Sequence, residues 1–258
     1  MNIIQALILG VVEGITEFLP ISSTAHMEIV SRLMGLAETD FVKTFQIAIQ
    51  FGAILAVIFI YFETLKKNFE IWKRILVAFV PTGVVGFVLY KLIKNQLLGN
   101  MRAVVLALGL GGIILILCEY ILVDNKTGDS TRELEIMPYA TAFWIGLAQA
   151  LAVIPGVSRS AATIVAGRSL GVSKKAVVEF SFLLAVPTML AASGYDLLKS
   201  AGSFSASYFG LIAVGFICAF FAALFSVRAL LAFVKNHDFK IFGFYRILAA
   251  LFTAFLFW

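Results

Sequence analysis

Five apolar runs of roughly twenty residues, 41–62, 103–123, 176–198, 208–227 and 241–258, constrain this chain more than any other feature. Each is long enough for a helix to cross about 30 Å of hydrocarbon at about 1.5 Å per residue. Their apolarity is continuous and lacks the alternation of a membrane barrel, so helices are the structure that satisfies the backbone inside lipid. A sixth run, 75–90, spans if Lys91 extends its ammonium to the interface. With 61% hydrophobic and 14% charged residues, the 258-residue chain lies far outside soluble composition. The expected fold class is an all-α polytopic membrane protein, one integral membrane domain over 1–258 with about six transmembrane helices.

Two more apolar stretches, 2–31 and 138–170, are interrupted by Pro20-Ile21-Ser22-Ser23-Thr24 and by Pro155-Gly156-Val157-Ser158. A proline removes a backbone donor and clashes with the preceding turn, which ends a helix. The serines that follow suit the N-cap of a second, short helix. Each stretch therefore reads as a re-entrant hairpin of two half-helices, and broken backbone at membrane depth is tolerated where it lines an enclosed or wet cavity. The hairpins also repeat. Gly146, Gln149 and Ser158-Arg159-Ser160 follow Gly10, Glu13 and Ser22-Ser23-Thr24 by about 136 residues, and Phe180-Ser181-Phe182-Leu183 follows Phe45-Gln46-Ile47-Ala48 by about 135. Repeat one then covers about 1–123 and repeat two about 138–258. Three spans after each hairpin invert the second copy, and inverted repeats with broken helices bind their ligand at the repeat interface.

The loops 63–74, 124–137, 168–175 and 228–240 hold twelve Lys and Arg against six in 32–43, 91–102 and 199–207. The positive-inside rule puts the richer set in the cytoplasm and both termini outside. The first charges of the chain, Glu13 and Glu17, are acidic, so no cleavable leader is expected. Cys118 and Cys218 lie in apolar runs without metal or redox spacing and read as packing residues. The basic residues are spread over loops and form no basic face, which argues against nucleic-acid binding.

Charge inside the membrane is where chemistry is expected. Glu13 and Glu17 stand four residues apart on one helical face in the run 6–21, and each would cost a few kcal/mol against lipid. Paired carboxylates suit a hard divalent cation, Mg²⁺ or Ca²⁺, or acid/base work. Ser22, Ser23 and Thr24 offer hydroxyls at the break, and His26 lies within one turn of Ser23, close enough to deprotonate it. In the second hairpin Arg159 follows a Pro-Gly turn at a helix start with Ser158 as its cap. Free backbone N–H groups, a positive dipole end and a forked donor are what a phosphate needs, and Ser160 and Thr163 add hydroxyls there. Glu119 and Arg246 lie near span ends, where the expectation is that both reach the interface; Glu179 serves helix electrostatics and His237 is solvated.

The segments 13–26, Glu13-Gly14-Ile15-Thr16-Glu17-Phe18-Leu19-Pro20-Ile21-Ser22-Ser23-Thr24-Ala25-His26, and 155–163, Pro155-Gly156-Val157-Ser158-Arg159-Ser160-Ala161-Ala162-Thr163, resemble the two signature motifs of the undecaprenyl-diphosphatase family, also known for bacitracin resistance. The resemblance extends over the whole chain in order, length and spacing. It implies a bacterial inner-membrane enzyme that hydrolyses undecaprenyl diphosphate to undecaprenyl phosphate and phosphate, recycling the lipid carrier of cell-wall synthesis, with a cavity open to the extracytoplasmic side. Joined to the residues, it implies Glu13, Glu17, Ser23, His26 and Arg159 as catalytic groups, Ser22, Thr24, Ser158, Ser160 and Thr163 as further substrate contacts, and Glu13 and Glu17 as metal ligands; either Ser23 attacks phosphorus with His26 as its base, or His26 activates water directly. The other function consistent with broken helices in repeats is a polyprenyl-phosphate transporter or flippase.

Overall fold

The computed structural model describes residues 1–37, 39–92, 100–122, 130–200 and 209–257. Asn2 opens α1, Ile3–Thr16, with a capping box: its Oδ1 accepts from the Gln5 amide at 2.9 Å, and Gln5 Oε1 accepts from the Asn2 amide at 2.8 Å. At 14 residues α1 is about 21 Å long, too short to cross alone. The chain breaks over 17–22 and continues as α2, Ser23–Leu33, packed back against α1. Then follow α3 (Asp40–Ile60), the short α4 (Phe62–Lys67), α5 (Phe69–Leu92) and α6 (Met101–Ile121). After α7 (Ser130–Ile136) the axis bends by 100° into α8 (Tyr139–Gln149) and a 3-10 turn, Ala150–Val153. The second hairpin closes with α9, Arg159–Ser169, and the chain ends with α10 (Lys174–Ser200), α11 (Phe209–Phe233) and α12 (Lys240–Phe257).

The six long helices α3, α5, α6, α10, α11 and α12 are each apolar and long enough to cross a membrane, and they fall on the six runs read from the sequence. The chain is a multi-pass membrane protein. Large apolar side chains point outward along these helices, with Phe87 82% and Phe255 86% exposed, which only lipid tolerates on this scale. One boundary differs. α5 begins at Phe69 rather than near 75, because Glu70 pairs with Lys73 at 2.6 Å and with Arg74 at 2.9 Å and carries the polar segment into the helix. The Lys91 side chain, most of the loops 91–102 and 199–207, and residues 124–129 of the loop 124–137 fall outside the described residues.

Packing between the halves is reciprocal. α1 lies along α11 and α8 along α5, while α3 meets α10 and α6 meets α12. Corresponding glycines make the two hairpin contacts: a Cβ on Gly10 would run into the backbone of Gly215 in α11, and one on Gly146 into the backbone of Ala78 in α5. Small residues let helix backbones approach where no hydrophobic drive separates protein from lipid. Each hairpin is thus held by the other half of the chain, and the two breaks meet in the middle. Phe18, Phe180 and Phe182 are fully buried at that junction, with Phe18 and Phe182 edge to face at 5.4 Å. Glu119 does not reach the interface as expected; its side chain is buried and pairs with Lys174 at 3.3 Å.

Candidate active site

Helix geometry brings Glu13, in the last turn of α1, and Glu17, just past its end, to the first break. Both are buried, at 1% and 8% exposure. Both oxygens of Glu17 have a partner: Oε2 accepts from the Ser23 hydroxyl, and Oε1 accepts from Arg159 Nη2 at 3.3 Å across the junction. Glu13 lies against Glu17, with Arg159 near enough to act on its charge. Its Oε1 finds no hydrogen-bond partner among the described residues.

The first break is a strained turn. Ser22 has φ 73° and ψ 93°, the one non-glycine residue with positive φ among those described. Such backbone costs of order 1–3 kcal/mol and persists where the surroundings enforce it. Ser22 stands at the N-cap of α2, yet its hydroxyl makes no cap bond and is buried without a partner among the described residues. An orphaned buried hydroxyl costs about 1–3 kcal/mol, a loss that a ligand would recover. The second break has an ordinary cap: Ser158 Oγ accepts from the Ala161 amide at 3.1 Å at the start of α9, as the sequence led us to expect. Arg159 projects from that first turn over the Phe18 ring at 5.8 Å and donates through Nη1 to the Ser181 carbonyl at 2.8 Å. Its Nε is buried and unpartnered among the described residues.

A cavity of about 130 Å³ opens beside these groups. Glu17, Ser22, Ser23, Thr24, Ser158 and Arg159 line it on the hairpin side, and Gln50, Thr188 and Ser193 from α3 and α10 contribute its other polar groups. Four expected participants do not line it: Glu13, which lies against Glu17, and three that are turned to other partners. The Ser160 hydroxyl donates to the Phe18 carbonyl at 3.0 Å and so ties α9 to the first break. Thr163 is fully buried against Ser181, their hydroxyls 2.7 Å apart. His26 points away from Ser23. Its Nδ1 meets the Ser22 carbonyl at 2.8 Å, which can only accept, so in the neutral ring Nε2 is the acceptor for the Tyr245 hydroxyl at 2.7 Å. The base in contact with Ser23 is Glu17.

Arg246 corrects the expectation made for it. It does not reach an interface but is 1% exposed. Nη1 donates to the Pro20 carbonyl at 3.1 Å and Nη2 to the Gly156 carbonyl at 3.2 Å, so one guanidinium holds both breaks. It also anchors on α6 through the carbonyls of Ala107 at 3.0 Å and Leu108 at 3.3 Å. Neighbouring residues of α12, Tyr245 and Arg246, thereby fix His26 and the two breaks. The available signal was an arginine six residues into an 18-residue apolar helix; a cation at such depth marks function or a buried partner.

The carboxylate pair also fits a metal. Among the described residues no third His, Cys, Asp or Glu joins it. Two carboxylates with one free oxygen match the way Mg²⁺ is held when waters and substrate phosphates complete its shell, whereas Ca²⁺ takes about six to eight oxygens.

The family described as bacitracin resistance protein BacA matches residues 6–252. A relative from Aquifex aeolicus named undecaprenyl-diphosphatase is 54% identical over 248 residues, 96% of this chain and 95% of its own length. Relatives of the same name from Sulfurihydrogenibium and Thermus thermophilus are 50% and 47% identical, over 96% and 98% of this chain and 96% and 97% of their own.

Proposed function

Because the chain belongs to the bacitracin resistance protein BacA family, we infer that it hydrolyses undecaprenyl diphosphate to undecaprenyl phosphate and inorganic phosphate, recycling the lipid carrier for cell-wall synthesis. The observation that carries the chemical reading is the Ser23–Glu17–Arg159 chain of contacts joining the two breaks.

Arg159 and the Ser22 hydroxyl bind the terminal phosphoryl group, using a guanidinium Nε–H and a hydroxyl that are otherwise idle. The start of α9 adds its dipole. Ser23 Oγ attacks the terminal phosphorus, and its proton passes to Glu17 Oε2. The bond from phosphorus to the bridging oxygen breaks, and undecaprenyl phosphate leaves with that oxygen and with the proton that Glu17 took from Ser23. Water then attacks the phosphoserine, giving its proton to the freed Glu17 carboxylate, which returns it to the Ser23 oxygen as the phosphorus–oxygen bond breaks and phosphate departs. Arg159 stays on the phosphoryl group throughout, and such charge stabilisation supplies most of phosphoryl-transfer catalysis. His26 acts through the backbone: with Tyr245 it holds the Ser22 carbonyl and the strained turn. A divalent cation, Mg²⁺ before Ca²⁺, would be held by Glu13 and Glu17 and would draw charge from the phosphoryl oxygens.

The loop charges support an inner-membrane setting with the first hairpin entering from the extracytoplasmic side, where the cavity then opens. Detergent-solubilised protein, with no second compartment, should release phosphate from undecaprenyl diphosphate. A carrier without hydrolytic activity would release none.

A further inference from the structure

The cavity beside Glu17 contains a second set of polar groups that the chemical step does not use. The Ser193 hydroxyl, on α10 and 3% exposed, donates to Gln50 Oε1 on α3 at 2.8 Å. With the amide in this orientation Gln50 Nε2, with its two hydrogens, has no protein acceptor among the described residues. Gln50 and Ser193 line the same cavity as Arg159 and the unpartnered Ser22 hydroxyl. Met189, Val157 and Ala152 supply apolar wall to the same cavity. The lining thus divides chemically into a charged group, Glu17 with Arg159, and a neutral donor group, Gln50 braced by Ser193.

A lipid diphosphate has the same division. Its terminal phosphoryl group carries the greater charge, while the inner one, esterified to the lipid and bridged to its neighbour, carries a single negative charge. One bridging oxygen separates them, so a cavity that seats the first must also meet the second. We propose that Gln50 Nε2, positioned by Ser193, is the contact for the inner, lipid-linked phosphoryl group. The proposal rests on the hydrolase reading above. It assigns the choice of a diphosphate over a lone phosphoryl group to α3 and α10 rather than to the hairpins. Cleavage turns the inner group into a doubly charged monoester held by neutral donors alone, and that favours its release.

Inhibition of the solubilised full-length enzyme by inorganic phosphate and by methylenebisphosphonate, whose P–C–P link resists hydrolysis, separates the two contacts. Phosphate alone occupies the Arg159 end, and the bisphosphonate reaches both. Gln50→Met, close in size but without donors, should weaken inhibition by the bisphosphonate roughly ten- to a hundredfold, the loss of a hydrogen bond to a charged group. It should leave inhibition by phosphate within about twofold, and that unchanged value is also evidence of a folded site. Ser193→Ala, which frees the amide to rotate, should act in the same direction more weakly. The proposal is overturned if both inhibitors weaken equally, if neither weakens, or if the unaltered enzyme holds bisphosphonate no tighter than phosphate. Failure of the unaltered enzyme to cleave the lipid diphosphate would instead reject the hydrolase reading, because bisphosphonate binding is read without turnover.

Discussion

Replacing Arg246 should damage catalysis at a residue that touches no reacting atom. Arg246→Met keeps the unbranched stem as far as the position of Nε and removes every donor. The carbonyls of Ala107 and Leu108 lie within α6 and keep their helical partners, so the loss falls on Pro20 and Gly156. Each of those break carbonyls, buried and left without its charged donor, costs about 1–3 kcal/mol, or roughly 2–6 kcal/mol together. Part of this will appear as a lower midpoint of thermal unfolding. The rest will appear as drift of one break against the other, and a displacement of about 1 Å at reacting groups costs about a hundredfold in rate. Arg246→Lys retains the charge, but one ammonium cannot copy the fork that spans two breaks. Its kcat should lie between those of Arg246→Met and the unaltered enzyme. The assay is phosphate release by purified protein, with kcat and KM separated and the unfolding midpoint measured on the same samples. A kcat within about twofold of normal in Arg246→Met, with an unchanged midpoint, would refute the idea that this residue holds the breaks together.

Arg159→Lys should lower kcat by about a hundredfold or more while the protein still elutes as folded, since a point charge cannot replace a fork at a phosphate. Glu17→Gln should cost about 10²–10⁴ in kcat through loss of the proton acceptor. Tyr245→Phe should cost nearer tenfold, the worth of one hydrogen bond to His26; equal losses in the two variants would return the base to His26. Excess chelator should abolish phosphate release and Mg²⁺ should restore it, with Glu13→Gln raising the Mg²⁺ needed. Full turnover in chelator would remove the metal from the site.

The spans were legible because unbroken apolarity at membrane length has few solutions, and the hairpins because Pro20 and Pro155 interrupt it. Gly146 was recognisable as the partner of Gly10 by spacing, and both meet an opposing backbone. The sequence also brought Glu17, Ser23 and Arg159 to notice as intramembrane polar groups. It could not say which base meets Ser23, because one helical turn from Ser23 to His26 and six residues back to Glu17 are both short paths. The left-handed Ser22 turn decides between them. Ser160 and Thr163 looked like ligand hydroxyls because composition does not tell which face of α9 a hydroxyl occupies. Gln50 and Ser193, and the partners of Arg246, are hidden for a different reason. Arg246 acts on a break more than a hundred residues away in sequence, and Gln50 and Ser193 each through a partner on another helix, and such pairings exist only once the two halves have packed.

Trapping the intermediate tests the central claim most directly. Undecaprenyl diphosphate labelled in its terminal phosphoryl group is mixed with enzyme, quenched in acid within the first turnover, and the protein is mapped by mass spectrometry. Attack by Ser23 predicts label on Ser23, none in Glu17→Gln or Ser23→Ala, and almost no phosphate release by either variant. An unlabelled enzyme together with a Ser23→Ala variant that still turns over would contradict it, and would assign the attack to water.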